Sequence, residues 1–174
     1  MLTTRMFAGF VLMASAVVLG TALLSQYWGG LAPCELCLMQ RWPWAAEIVI
    51  SLVVVLVGER AGLGWVALLL GVVFAVSVVL AFYHVGVEQH WFAGPTACTA
   101  RETGAMTVED MKRQILGTAP VLCDRPAWTL FGVSLAGWNL LASLVMTGCC
   151  VVALLYARGI WQGRTERHVR RGTA

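Results

Sequence analysis

The chain has 174 residues, 59% of them apolar and only 12% charged, where a soluble domain carries about 25% charged residues. That balance excludes an ordinary water-soluble protein, and the length bounds the chain to one domain. The net charge is a modest +3, so its distribution carries more than its sum. Arg158, Arg164, Arg167, Arg170 and Arg171 follow a long apolar segment. Basic residues there mark the cytoplasmic flank of a span rather than a nucleic-acid patch, and no nucleic-acid partner is expected.

No charge stands between Arg5 and Glu35. Met6–Leu24 is apolar enough to cross about 30 Å of hydrocarbon as a helix, and the first span is placed at about 6–27. A signal peptide is the rival reading, but an h-region runs only about 7–15 residues. The second span, about 36–57, is unusual because it carries Arg41 and Glu47. Pro43 should weaken it locally by leaving the Met39 carbonyl without its usual donor. Gly58–Gly64 is a short turn, and the third span is about 65–87. Between Arg60 and Glu88 the only potentially ionisable side chains are Tyr83 and His84. A polar stretch then leads to a fourth span at about 129–157 and a tail at 158–174.

Four spans put both termini on one side. The loops at about 28–35 and 88–128 then share the other. The tail is the basic one and stays in the cytoplasm, while the long loop has four cations against five carboxylates and is translocated. Trp28, Trp91 and Trp128 would anchor the outer interface, Trp65 and Trp161 the inner. Within the long loop, Thr107 reads as an N-cap with Asp110 three residues on. Val108, Met111, Ile115 and Leu116 fall on one face before Gly117 and Pro120. This predicts a short amphipathic helix lying on the membrane surface. The fold expected is therefore an all-α, four-transmembrane-helix bundle, one membrane domain over 1–174. No internal repeat, low-complexity segment or soluble domain is visible.

The topology places Cys34, Cys37, Cys98 and Cys123 on one face. Outward from a bacterial-type inner membrane this is an oxidising compartment, where disulfides form and persist. Cys34-Glu35-Leu36-Cys37 has redox-motif spacing and heads a helix after Pro33. The unpaired N–H groups there stabilise thiolates. Arg41 lies four residues after Cys37, one turn along the same face. A membrane arginine costs about 2.5–3.5 kcal/mol to insert and is a functional candidate by default; the plain alternative is snorkelling to the surface. Arg41 is expected to stabilise negative charge on Cys37 or on a reduced acceptor beside it, such as a quinone. Glu47 lies six residues on, off that face, and has no assigned role. Cys98 and Cys123 stand 25 residues apart among turn residues. They could form a static staple or an exposed exchange pair. Zinc is the other use of four cysteines, but structural zinc prefers two close pairs, and no metal is expected. Cys149 and Cys150 sit in an apolar run and read as packing residues.

Pro33-Cys34-Glu35-Leu36-Cys37 with Gln40-Arg41, the Cys98 and Cys123 pair, Tyr83–Glu88, Gly94–Cys98 and Cys123-Asp124-Arg125 before an aromatic-rich fourth span resemble the bacterial disulfide-bond formation protein B (DsbB) family. The resemblance covers nearly the whole chain except the basic tail. It implies an inner-membrane protein with both termini cytoplasmic and its cysteine pairs facing the periplasm. It implies a quinone-dependent oxidase of a periplasmic DsbA-like dithiol protein. Cys98 would be attacked by the partner's thiolate. Cys98 and Cys123 would pass electrons to the Cys34–Cys37 disulfide, and Cys37 would meet the quinone, ubiquinone or menaquinone, held by Arg41. A DsbA-like protein has a potential of about −120 mV, so its reoxidation needs a still stronger acceptor, which a quinone provides. The family's histidine near the third span has two candidates, His84 and His90, of which His84 lies in the span and is expected at the quinone end. Two rivals stand beside this reading. One is a structural membrane protein braced by two disulfides. The other is a relative serving a different thiol partner, or one running in the reducing direction as vitamin K epoxide reductase-like proteins do. Arg41 disfavours the scaffold, which has no use for an arginine one turn below a thiol.

Overall fold

The computed structural model describes residues 2–95, 108–109, 112 and 121–172, with side chains as far as Gly159. Four of its helices are long and apolar enough to cross a membrane: Thr4–Tyr27, Glu35–Ala61, Leu63–Glu88 and Leu135–Gly159. The four-helix membrane bundle expected from the sequence is therefore present.

Helix α1 (Thr4–Tyr27) starts where Thr3 accepts the Met6 N–H at 3.2 Å. The Glu59 carboxylate, arriving from the far end of the second span, accepts the Thr4 and Arg5 N–H groups at 2.9 and 3.1 Å. A carboxylate on orphan N–H groups suits the positive end of the helix dipole. The second span is not one helix. It comprises α2 (Glu35–Met39), a break at Gln40, α3 (Arg41–Val57) and a 3₁₀ turn at Gly58–Ala61. Pro43 explains where the break falls. It occupies the first turn of α3, where an N–H would have no intrahelical acceptor and a proline ring is tolerated.

Helix α4 (Leu63–Glu88) runs back to the cysteine end. The fourth helix, α5 (Leu135–Gly172), begins at Leu135 rather than near 129. Residues Thr129–Leu130 (β1) and Val133–Ser134 (β2) pair instead as an antiparallel hairpin, with Leu130 opposite Val133. Its two-residue turn, Phe131-Gly132, has φ of 52° and 78°, the left-handed pair that a tight hairpin demands. Helix α5 also continues to Gly172, through the segment read as a tail. Of the expected loop helix, Val108, Glu109 and Lys112 are helical and exposed; the rest of it, and Cys98, lie outside the described residues.

Helix α4 packs chiefly on α5, and α1 on α3. Gly71 meets the Cys150 side chain and Gly64 that of Ala157, so small residues let α4 and α5 approach closely, as membrane helices require. Phe7, Val11, Trp44, Leu70, Phe74 and Met146 fill the core, with the Trp44 and Phe74 rings edge-to-face at 5.4 Å. Cys150 is buried among them, which fits a packing role. The exterior is apolar (Val49, Val53, Val72, Val79, Val145 and Val152 are exposed), while polar groups such as the Ser77–Ser143 hydroxyl pair, 2.9 Å apart, turn inward. That inversion suits hydrocarbon as solvent.

Candidate active site

Cys34 is the N-cap of α2. Its backbone is extended and its Sγ accepts the Cys37 N–H at 3.2 Å. The motif spacing follows directly, because a cap residue bonds the N–H three positions on. The two Sγ atoms lie 2.8 Å apart, and Cys34, Cys37, Cys149 and Cys150 are free thiols. Cys34 is 4% exposed. Its thiol is held well below the ordinary range, first by the hydrogen bond from Cys37 and then by His84 and the Cys37 N–H, against burial, which pushes the other way. Cys123 is disulfide-bonded, fully buried, and packed in one cluster with Cys34, Leu36 and Val87, with Cys37, Tyr83 and Val121 against it.

His84 reaches the same place from α4. Its Nε2 is 3.6 Å from Cys34 Sγ and 3.9 Å from Glu88 Oε1. The other Glu88 oxygen accepts the Ser134 hydroxyl at 2.5 Å, tying the hairpin to the end of α4. On the far side of the ring, Nδ1 is 2.5 Å from Gln40 Nε2. Gln40 Oε1 accepts from Asn139 Nδ2, and Asn139 Oδ1 accepts from the Trp44 indole N–H at 2.7 Å. The break at Gln40 is what turns this amide inward. The ligand atoms of Cys34, Cys37 and His84 lie within 4.8 Å of one another, a grouping that also has metal-ligand spacing.

Arg41 is half-buried and reaches back to α1, donating from Nη1 to Gln26 Oε1 at 2.5 Å and from Nη2 to the Ala22 carbonyl at 3.3 Å. Beside it opens a cavity of about 340 Å³. Cys37, Arg41 and His84 contribute polar groups, and Val18, Leu19 and Ala142 contribute apolar wall. Apolar walls with a few convergent polar groups are the usual make-up of a small-molecule site.

The fold therefore brings Cys34, Cys37, Arg41, His84 and Cys123 to one end of the bundle. His90 follows the end of α4 in a left-handed conformation (φ 59°) and is exposed, outside the cavity lining. Glu47 is fully buried in the interior, and neither carboxylate oxygen has a hydrogen-bond partner among the described residues. Sequence reasoning missed Gln26, Trp44 and Asn139, and quoted Gln40 and Glu88 only as parts of motifs, without a role. One signal existed: Asn139 is the chain's single asparagine and stands inside an uncharged 32-residue run.

A helical membrane bundle that sets a vicinal dithiol against a disulfide cysteine, beside an apolar cavity with an arginine, defines a membrane thiol–disulfide oxidoreductase. The family model described as disulfide bond formation protein DsbB matches residues 4–153, and the chain belongs to that family. It is similar to disulfide bond formation protein B of Stutzerimonas stutzeri, 29% identical over 153 residues, covering 82% of this chain and 90% of that one. The protein of that name from an Azoarcus species is 32% identical over 136 residues, covering 72% and 77%. An uncharacterized protein of Rickettsia prowazekii is 24% identical over 146 residues, covering 83% and 84%. No solved structure gives a significant match. The chain is thus a multi-pass membrane protein of disulfide-bond formation, a disulfide-generating oxidoreductase.

Proposed function

We propose that the protein reoxidises a periplasmic DsbA-like dithiol protein and delivers the electrons to a membrane quinone, ubiquinone or menaquinone. The observation that carries this reading is the shared burial of Cys34 and Cys123 beside the cavity that Cys37 and Arg41 line.

The partner's thiolate attacks Cys98 of a Cys98–Cys123 disulfide, and Cys123 leaves as a thiolate. The partner's second thiolate then attacks the partner's own sulfur in the mixed disulfide. The partner departs oxidised and Cys98 is left reduced. Cys123 next attacks Cys34 of the Cys34–Cys37 disulfide, expelling the Cys37 thiolate. Cys98 attacks Cys123 in turn, restoring its disulfide and expelling Cys34. A low thiol pKa makes Cys34 a fast leaving group in that last exchange. The net result is two electrons on the Cys34–Cys37 pair, and the two protons lost by the partner's thiols balance those that the reduced Cys34 and Cys37 thiols take up. Free thiols at Cys34 and Cys37 with Cys123 disulfide-bonded correspond to this stage.

A quinone in the cavity supplies a two-electron, two-proton acceptor. The fit is chemical: Arg41 would offer guanidinium N–H donors to a carbonyl oxygen as it gained charge, Cys37 lines the same space, and the wall is mostly apolar. Arg41 and Cys37 would hold it, with the His84 ring forming part of the wall. Exposed Arg5, Arg60 and Arg158 stand at the bundle end opposite the cysteines, which supports cytoplasmic termini and a periplasmic site in the inner membrane.

The test is quinone absorbance in detergent. Oxidised protein is mixed with quinone and a reduced DsbA-like partner, and wild type is compared with Cys98→Ser and Cys37→Ser. Quinone reduction that needs both cysteines is expected. Partner-independent reduction, or none with both disulfides intact, overturns the reading.

A further inference from the structure

The hydrogen bonds around His84 have only one consistent direction, and it starts at Trp44. The Trp44 indole nitrogen can only donate. Asn139 must therefore turn its oxygen to Trp44, which leaves its NH₂ facing Gln40. Gln40 must accept there with Oε1, so its NH₂ faces His84 Nδ1. A nitrogen that accepts carries no proton. The neutral ring then has its proton on Nε2, the nitrogen that faces Cys34 Sγ at 3.6 Å.

We infer that Trp44, Asn139 and Gln40 form a one-way hydrogen-bond relay that fixes His84 as an Nε2–H donor to the Cys34 sulfur, making Gln40 and Asn139 positioning residues for that thiol. Three consequences follow from the assignment. His84 cannot take the Cys34 proton at Nε2, because that position is filled; it stabilises the thiolate by donating. The lone pair that a metal ion would need at Nε2 is absent, so the ligand-like spacing of Cys34, Cys37 and His84 serves sulfur chemistry. The relay also divides labour between the two thiols. Cys34 is served by His84 through a chain spanning α3, α4 and α5, while Cys37 faces the cavity with Arg41. Among the described residues, the other charged group near the ring is Glu88, whose Oε1 is 3.9 Å from Nε2 and whose second oxygen is held by Ser134.

The inference rests on the reading of Cys34–Cys37 as the working pair, but its test needs neither partner nor quinone. Its failure is thus separable from failure of the quinone-reduction assay. The reduced protein is labelled with ¹⁵N-histidine, and His84 is assigned by the signals lost in His84→Phe. An unprotonated Nδ1 with a protonated Nε2 is expected; the reverse tautomer overturns the inference. Gln40→Glu then swaps the donor facing Nδ1 for an acceptor, and Asn139, still oriented by Trp44, favours that carboxylate in its ionised form. The Nδ1 signal should move to the protonated type. A purely packing role for Gln40 would leave it unmoved, and that result overturns the assignment. Finally, the thiolate ultraviolet absorption of the reduced protein is titrated in wild type and in His84→Phe. Losing one hydrogen bond to a charged sulfur should raise the Cys34 midpoint by about one to two pH units. An unchanged midpoint overturns the donor role.

Discussion

Replacing Arg41 with leucine separates a guanidinium that serves an acceptor in the cavity from one that braces helices. In the fold, Arg41 makes two bonds, to Gln26 Oε1 and to the Ala22 carbonyl. The Ala22 carbonyl also belongs to the ladder of α1, so it keeps a partner when the arginine goes. Gln26 lies near the end of α1, half-buried, where its amide can turn to water. The structural loss is thus about one net hydrogen bond, roughly 1 kcal/mol. Relief of the cost of placing an arginine in a membrane segment, about 2.5–3.5 kcal/mol on insertion scales, offsets it. The functional loss is larger. A charge-assisted bond to an oxygen gaining electrons contributes about 1.5–3 kcal/mol, so kcat/KM for quinone should fall about tenfold to a hundredfold. Arg41→Lys keeps the charge but not the two-pronged donor and should fall in between. The assay is quinone absorbance at saturating reduced partner across a quinone concentration series, with thermal unfolding in the same detergent as control. Wild-type kcat and KM in Arg41→Leu would refute the assignment, as would a loss of activity that only tracks a loss of folded protein.

Cys34 carries a pH signature. Its thiol is held below its unfolded value near 8.5, so between the two values the unfolded chain binds more protons and folding stability of the reduced protein rises with pH. Measured against Cys34→Ala, reduced wild type should gain unfolding temperature from mildly acidic pH up to about 8.5 and plateau above; a difference that is flat with pH refutes the shift. Glu47→Gln should leave stability unchanged or raise it, because an ionised carboxylate with no partner in hydrocarbon is costly and the amide is its neutral isostere; a loss above about 1 kcal/mol in chemical unfolding would show that the charge is structural. Phe131→Asn should stabilise the hairpin by about 1 kcal/mol, since Phe131 is 89% exposed at φ 52° and asparagine accepts the left-handed region more readily. An unchanged unfolding temperature would count against backbone strain there.

What the sequence made legible was whatever depends on chain-local physics. Span count, the redox spacing at a helix start and the oddity of Arg41 all follow from hydropathy, capping and insertion cost within one segment. The fourth helix was placed six residues early for a physical reason. Thr129–Ser134 is apolar enough to read as span, and only the turn geometry at Phe131-Gly132 shows that it doubles back. Gln40 illustrates the other limit. In sequence it is a polar residue beside a more conspicuous arginine. Its importance comes from a break that Pro43 tolerates one position later than a continuous helix would suggest, and from a partner 99 positions away, Asn139.

The same long-range contacts explain why two neighbouring cysteines need not be equivalent. Cys34 and Cys37 share a helix N-terminus, so the helix dipole acts on both and cannot by itself assign them different tasks. The difference is tertiary. Cys34 is 4% exposed and packs with Cys123, and it faces a histidine whose orientation is set from α3 and α5. Cys37 is only half-buried and lines the cavity with Arg41. One sulfur therefore lies beside a disulfide cysteine and the other on an apolar cavity. On the proposed route, electrons entering from the disulfide side have a built-in exit, and reversing the order would require Cys34 to reach a cavity whose lining it does not join.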